Sequence, residues 1–191
     1  IVVYKNDVAS QDELTALVEL SAALDFRLCY SRENLCTLGR VRGCLEARCE
    51  HVLVVDDDLT VHNIPALLEA YDGTKIIANL ADDASSKHWQ FWQRDPKPYV
   101  ELGFGSVFPR QFAIDYLAMK WTDDQELLRR KSDKAFTCLF PWEAMRAGPE
   151  DITRLFHNSV ESGKDENALY KRPCHKRLTD DAVRLALAYK A

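Results

Sequence analysis

Short apolar runs alternate, along the first half of the chain, with stretches whose apolar residues recur every three or four positions. The runs predict strands, and the helical spacing predicts amphipathic helices. The predicted strands cover 1–4, 26–30, 52–55, 75–80 and 99–108, and the predicted helices cover 10–24, 35–49, 64–71, 112–121, 123–142 and 179–190. Because strands that alternate with helices form βαβ units, we expect an α/β fold with a mostly parallel mixed sheet flanked by helices.

Length and composition are those of one globular domain. A chain of 191 residues, 47% of them hydrophobic, can bury a sizeable core, so we expect a single domain over 1–191. A net charge of −5 argues against a general affinity for nucleic acid. No stretch approaches the roughly 20 apolar residues that cross a bilayer. Since the chain starts inside a predicted strand and without Met, we expect the natural polypeptide to extend upstream.

The six cysteines contain no CxxC pair and show no zinc-finger spacing. A domain of this length needs no disulfides for stability. We therefore expect free thiols and a reducing compartment, the cytoplasm.

The most informative motif is the acidic triplet Asp56-Asp57-Asp58, which directly follows the strand predicted at 52–55. Open α/β sheets bind ligands outside the carboxyl ends of their strands. Three adjacent carboxylates repel one another, so we expect a cation there, and all-oxygen ligation favours Mg2+ or Mn2+ over zinc. A solvated acidic turn is the alternative, and it is less common for three acids than for two.

A basic motif near the end of the chain has complementary charge. The segment Tyr170-Lys-Arg-Pro-Cys-His-Lys-Arg177 carries five basic side chains. Such clusters are usually solvated surface. Beside an acidic metal site, however, they would supply what a diphosphate needs, because Arg172 and Arg177 offer planar donors and His175 can donate to an oxygen.

Two other classes of protein share the acidic strand end. Receiver domains of response regulators hold Mg2+ with adjacent acids, but at the end of their first strand, whereas this triplet follows the third predicted strand. A metal-dependent nucleotidyltransferase is the nearer alternative. The chain has no Gly-rich phosphate loop or Walker-type Lys, which disfavours that alternative and leaves it open.

The order of the motifs resembles the C-terminal domain of exostosin-type glycosyltransferases, which have the GT-A fold. The resemblance rests on the acidic triplet, a Gly105-Ser106 step followed by a helix, an Asp near Ala135, and Arg172-Pro-Cys-His175. It implies a GT-A-like, Rossmann-like domain with a nucleotide-binding half over 1–80 and an acceptor half over 81–191. The implied activity is metal-dependent transfer of a sugar from a nucleotide-sugar, a UDP-sugar, to a hydroxyl of a glycan or glycoprotein, with Mn2+ or Mg2+ as cofactor.

The resemblance also implies roles for individual residues. Asp58 would bind the metal directly, and Asp56 would help to hold ribose or metal-bound water. Arg40, sixteen residues before Asp56, would approach the nucleotide-sugar, and Tyr4 could stack near its base. The full expected donor site is Tyr4, Arg40, Asp56, Asp57, Arg172, His175 and Arg177, with Asp58 and Asp56 at the metal.

Asp133 is the first choice for the catalytic carboxylate, with Glu101, Asp123 and Asp124 as alternatives. Asp133 could equally cap a helix that it begins. The chain departs from the exostosin pattern at two neighbouring positions, because Ser132 replaces an acid and Lys131 replaces a disulfide-bonded cysteine. The loss of that disulfide agrees with a reducing compartment, and these departures resemble a compact bacterial or large-algal-virus relative.

Overall fold

The computed structural model describes residues 2–5, 8, 10–56, 59–81, 97–148, 150–154 and 174–191. The strands are β1 (Val2–Lys5), β2 (Arg27–Tyr30), β3 (His51–Val55), β4 (Leu59–Val61), β5 (Ile76–Ala81), β6 (Phe104–Pro109), β7 (Trp142–Ala147) and β8 (Ile152–Arg154). The helices are α1 (Gln11–Leu24), α2 (Leu38–Leu45), α3 (Ile64–Ala70), α4 (Arg110–Ala118), α5 (Gln125–Leu139) and α6 (His175–Lys190). No helix within these ranges has the length and apolar character needed to span a membrane.

The central sheet has the strand order β3-β6-β5-β7. Strand β6 runs antiparallel to both of its neighbours, whereas β5 and β7 are parallel. Strands β3, β5 and β7 therefore point the same way, and their carboxyl ends lie at the same end of the sheet. Strands β1 and β2 form a separate parallel pair, and β4 and β8 form an antiparallel one. The predicted α/β architecture with a mixed sheet flanked by helices is confirmed. The expectation of a mostly parallel sheet is wrong, because β6 pairs antiparallel with both β3 and β5 and leaves β5-β7 as the parallel pairing of the central sheet.

Helices cover both faces of the central sheet. On one face Phe108 of β6 packs against Phe136 of α5, with ring centroids 5.1 Å apart, and α2, α4 and α6 contribute to the same core. On the other face Leu67 of α3 packs with Ile77 and Val107. Because successive strand residues point to opposite faces, Val107 and Phe108 fill two different cores.

The first βαβ unit forms as the sequence predicts. The N-cap of α1 is Ser10, whose hydroxyl accepts a 3.1 Å hydrogen bond from the backbone N–H of Glu13. Strands β1 and β2, on either side of this helix in sequence, then pair in parallel from Val2 with Arg27 to Lys5 with Tyr30. A capped amphipathic helix between two short apolar runs was therefore sufficient to predict this unit.

The helix predicted at 123–142 is too long. Helix α5 ends at Leu139, and Trp142 begins strand β7 instead. Pro141 explains the break, because proline lacks an N–H and keeps the preceding residue out of the α conformation. Phe140 is accordingly extended, with φ −108° and ψ 155°. The short strands β4 and β8 were not predicted either.

Candidate functional site

Asp56 lies at the carboxyl end of β3, as predicted, and the backbone holds it in place. Its N–H donates a 2.9 Å hydrogen bond to the carbonyl of Gly103, in the segment that leads into β6. The carboxyl group of Asp56 also packs against the α-carbon of Gly103, where a Cβ atom would overlap it. The end of β3 is therefore fixed against the start of β6 by one hydrogen bond and one close contact.

Arg40 of α2 binds both carboxylate oxygens of Asp56. The guanidinium Nε lies 2.7 Å from Oδ1 and Nη2 lies 2.7 Å from Oδ2, which is the bidentate geometry that arginine favours. Burial opposes the charge of Arg40, but the hydrogen bonds to Asp56 and the charge of Asp133 raise its pKa above the usual value. Arg40 is therefore the cation that neutralises Asp56 in the structure.

Asp133 of helix α5 also lies beside Arg40. Together, Arg40, Asp56, Asp133 and Lys134 form an ion cluster. Oδ2 of Asp133 lies 3.6 Å from Nη1 of Arg40 and 3.8 Å from the ammonium of Lys134. Burial of this side chain favours the neutral acid, but the charges of Lys134 and Arg40 outweigh burial and lower the pKa of Asp133. The structure therefore places a buried, ionised carboxylate beside the arginine that holds Asp56.

Asp133 lies within α5, which starts at Gln125, after the N-cap Asp124. The helix is kinked at Lys131, where φ is −134° and ψ is 17°. Directly after the kink, Oδ1 of Asp133 accepts a 2.9 Å hydrogen bond from the backbone N–H of Lys134. Asp133 therefore lies in the first turn of the helical segment that follows the kink, where its carboxylate binds a backbone N–H, so the capping role stays open beside the catalytic one.

Lys134 connects the ion cluster to the segment before β6 through contacts with Glu101 and Tyr99. It forms an ion pair with Glu101, and its ammonium lies 4.7 Å from the ring centroid of Tyr99. Burial opposes the charge of Lys134, but Glu101 and Asp133 raise its pKa. Nearby, the hydroxyl of Thr137 lies 3.2 Å from the carbonyl oxygen of Val100, which anchors this segment to α5.

His175 contacts Lys131, which lies two residues before Asp133 on α5. The Lys131 ammonium lies 3.1 Å from Nδ1 of His175, the first residue of α6. Lys131 is buried, and burial lowers its pKa to about 8, against the charge of Asp133. The charges of Lys134 and Arg130 act in the same direction as burial. Helices α5 and α6 thus bring two nitrogen bases together beside Asp133.

Tyr4 lies in the same groove as Arg40 and Asp56. This open groove, of about 1880 Å³, runs between β1 and β3. Tyr4 packs over Gly43 of α2, where a Cβ atom would lie 3.0 Å from the Cβ of Tyr4. Burial raises the pKa of the Tyr4 hydroxyl, so it is a neutral hydrogen-bonding group at physiological pH.

The structure therefore brings together three of the expected residues, Arg40, Asp56 and Asp133, and places Tyr4 along the same groove as the first two. Arg177 is exposed, and within the described ranges no contact joins it to the cluster. Asp57, Asp58 and Arg172 lie outside the described residues. The described residues contain no group of three or more His, Cys, Asp or Glu side chains that could hold a metal ion.

Sequence reasoning did not single out Lys134 or Tyr99 for this site. The available signal was the charged run Arg129-Arg-Lys-Ser-Asp-Lys134, which interrupts the apolar spacing of the predicted helix. A charged run on a helix usually faces solvent, so the sequence predicted that this part of the helix is exposed.

Two comparisons with known proteins find no relative: no protein-family model matches the chain, and no curated protein matches it.

Replacing Gly103 with alanine should lower the free energy of unfolding by about 1–3 kcal/mol, because the new methyl group overlaps the Asp56 carboxyl. Thermal or urea unfolding measures the change. A double-mutant cycle supplies the control. In an Asp56→Ala background the overlapping carboxyl group is absent, so Gly103→Ala should lower the free energy of unfolding by less. Equal costs in both backgrounds would show that Gly103 does not contact the Asp56 side chain.

Proposed function

We propose that this chain is a metal-dependent glycosyltransferase with a GT-A-like fold, which transfers a sugar from a UDP-sugar to an acceptor hydroxyl of a glycan or glycoprotein. The observation that supports it best is the link from Asp56 through Arg40 to Asp133. These residues are far apart in sequence, and the resemblance to the exostosins is what predicted that they share a donor site. A mixed sheet with Asp56 at the carboxyl end of a strand agrees with that assignment.

The groove offers a place for the nucleotide. Tyr4 and Arg40 both line it, and Asp56 stands at its end. In the proposed complex, the base lies near Tyr4 and the diphosphate lies near the end of β3. Arg172, His175 and Arg177 would bind the diphosphate from the other side.

Asp58 is the proposed direct ligand of Mn2+ or Mg2+. Both oxygens of Asp56 are hydrogen-bonded to Arg40, which favours a role for Asp56 in binding ribose or metal-bound water. The described residues alone supply one carboxylate at the end of β3, so the metal site depends on Asp58. Oxygen donors at this position fit a hard divalent cation, which would neutralise the charge that develops on the leaving diphosphate.

Asp133 is the proposed catalytic carboxylate, acting by electrostatic stabilisation. In the transfer, the bond between the anomeric carbon and the diphosphate breaks and its electrons leave with the diphosphate, while positive charge develops on the sugar ring. The acceptor oxygen forms the new bond to the anomeric carbon, and its proton passes to the departing diphosphate. A general base works best when its pKa is near the operating pH, whereas the pKa of Asp133 lies below the usual range for aspartate. A permanently ionised carboxylate beside the sugar would instead stabilise this positive charge.

All six cysteines are free thiols in the structure. Burial raises the pKa of the Cys44 thiol to about 12 and that of the Cys138 thiol to about 11, so these two groups are unreactive. A cytoplasmic location, in the host cell if the protein is virus-encoded, is part of the proposal.

Isothermal titration of UDP with and without Mn2+ tests the metal site. We expect binding that depends on Mn2+, and at least a tenfold loss of affinity in Asp58→Ala, which removes the proposed ligand. The exposed Asp12 of α1 provides the matched control, since Asp12→Ala should leave UDP affinity unchanged.

Equal UDP affinity in wild type and Asp58→Ala would overturn the metal assignment. Release of pyrophosphate from a nucleoside triphosphate would identify the nucleotidyltransferase alternative. Labelling of an aspartate by acetyl phosphate would favour a receiver-like domain.

A further inference from the structure

Lys131 is a buried cation to which the proposed reaction assigns no role. Only 3% of its surface is exposed. Each of the other cations in the cluster has a carboxylate partner, since Arg40 binds Asp56 and Lys134 binds Glu101. Within the described ranges, the side-chain contact of the Lys131 ammonium is the ring of His175, with no carboxylate at salt-bridge distance.

The groups that face Lys131 come from three parts of the fold. Asp133, Lys134 and Arg130 lie on α5 itself, Glu101 lies in the segment before β6, and His175 lies on α6. Burial and the two like charges lower the pKa of Lys131 to about 8, while Asp133 and Glu101 oppose them. At neutral pH the ammonium is therefore largely protonated, yet it is poorly compensated by negative charge.

We propose that Lys131 is an anion-binding residue, whose ammonium and the adjacent His175 imidazole together hold a phosphate oxygen at the start of α6. His175 is partly exposed, and its Nδ1 lies 3.1 Å from the Lys131 ammonium, so an anion bound at the ring would lie close to both groups. The first N–H groups of α6, a helix of 16 residues, add positive potential at the same place. This inference rests on the proposed function for the identity of the anion, the diphosphate of the donor nucleotide.

The arrangement also predicts proton uptake on binding. A nearby anion stabilises the charged form of Lys131, so its pKa rises in the complex. Affinity should be greatest below pH 8 and fall as the pH rises through the pKa of the complex. At pH 8 the free side chain is about half protonated, and binding should therefore take up roughly half a proton.

Titration calorimetry of UDP with the full chain, in two buffers of different ionisation enthalpy and at pH 7 and pH 8, measures the affinity and the number of protons taken up. Lys131→Met should lower the affinity at pH 7 roughly tenfold and abolish the proton uptake. Lys131→Arg should retain the affinity and lose the pH dependence, because a guanidinium stays charged. Lys190→Met, at the far end of α6, is the matched control and should behave as wild type.

A Lys131→Met variant that binds UDP with wild-type affinity and proton uptake would overturn the proposal, and thermal melting confirms that the variant is folded. If Lys131→Met does not fold, a Lys131→Arg variant that keeps the wild-type pH dependence of UDP affinity would also overturn the proposal.

UDP affinity that depends on Asp58 but not on Lys131 would overturn this inference alone. Binding of inorganic pyrophosphate that depends on Lys131, without UDP binding, would support the anion site and overturn the glycosyltransferase assignment. Binding of neither ligand would overturn both.

Discussion

Replacing Arg40 with methionine should lower the free energy of unfolding by about 3 kcal/mol, because it removes the cation that binds the half-buried Asp56 and lies beside the buried Asp133. The Asp133 side chain is only 6% exposed and would retain Lys134, 3.8 Å away. Asp56 would lose both of its hydrogen bonds to Arg40. Urea unfolding of the two proteins, with equal m values, measures the difference.

Arg27 provides the matched control for burial. It also binds a carboxylate, since its Nη2 lies 2.7 Å from Oε2 of Glu46, but the two side chains are 46% and 39% exposed. Arg27→Met should therefore cost no more than about 1 kcal/mol. If Arg40→Met costs as little as Arg27→Met, the cluster around Arg40 is open to water and does not hold a buried charge.

The cost of Arg40→Met should also depend on pH, through Asp133. In the wild type the folded-state pKa of Asp133 is lowered, so its contribution to stability is present above the unfolded pKa of about 3.9 and is lost as the pH falls through the folded pKa. Removing Arg40 raises the folded-state pKa and reduces this contribution. The stability difference between wild type and variant should therefore narrow below about pH 4.

Much of the local structure follows from the sequence because local rules determine it. The cap at Ser10, the apolar run of β3 and the position of Asp56 at its end all depend on neighbours within a few residues. Pro141 also acts locally, and the rule for the residue before proline could have ended α5 and separated it from β7. The error there came from extending the apolar spacing past a residue that cannot continue a helix.

The ion cluster could not be predicted in the same way, because hydrophobic spacing reports the buried face of one element and not which elements meet. Lys131, Asp133 and Lys134 look like a solvated turn of helix in sequence. They are buried because α6 and the segment before β6 pack on α5. The pairing of Arg40 with Asp56 depends likewise on α2 lying against the end of β3, and only the resemblance to a family linked the two residues in advance.

Replacing Asp133 with asparagine should lower the rate of sugar transfer about 100- to 1000-fold, because it removes the charge that stabilises the positive transition state. The Michaelis constant for the UDP-sugar should change little, since Asp133 is not itself a proposed nucleotide contact and Arg40 keeps both of its hydrogen bonds to Asp56. The variant should stay folded, because both cations beside Asp133 keep another carboxylate: Arg40 retains Asp56 and Lys134 retains Glu101. A loss of rate without a loss of structure can therefore be attributed to the charge itself.

The pH profile of the wild-type rate separates the two roles that a carboxylate can have here. Because the pKa of Asp133 is already low, a stabilising carboxylate stays ionised from neutral pH down to about pH 4 and gives no acid limb in that range. A general base with a pKa near neutrality would give such a limb. Glu101→Gln is the decisive comparison, because Glu101 is the nearest alternative and pairs with the same Lys134. If Glu101→Gln abolishes transfer while Asp133→Asn does not, Glu101 is the catalytic carboxylate, and Asp133 serves to hold Arg40 in place.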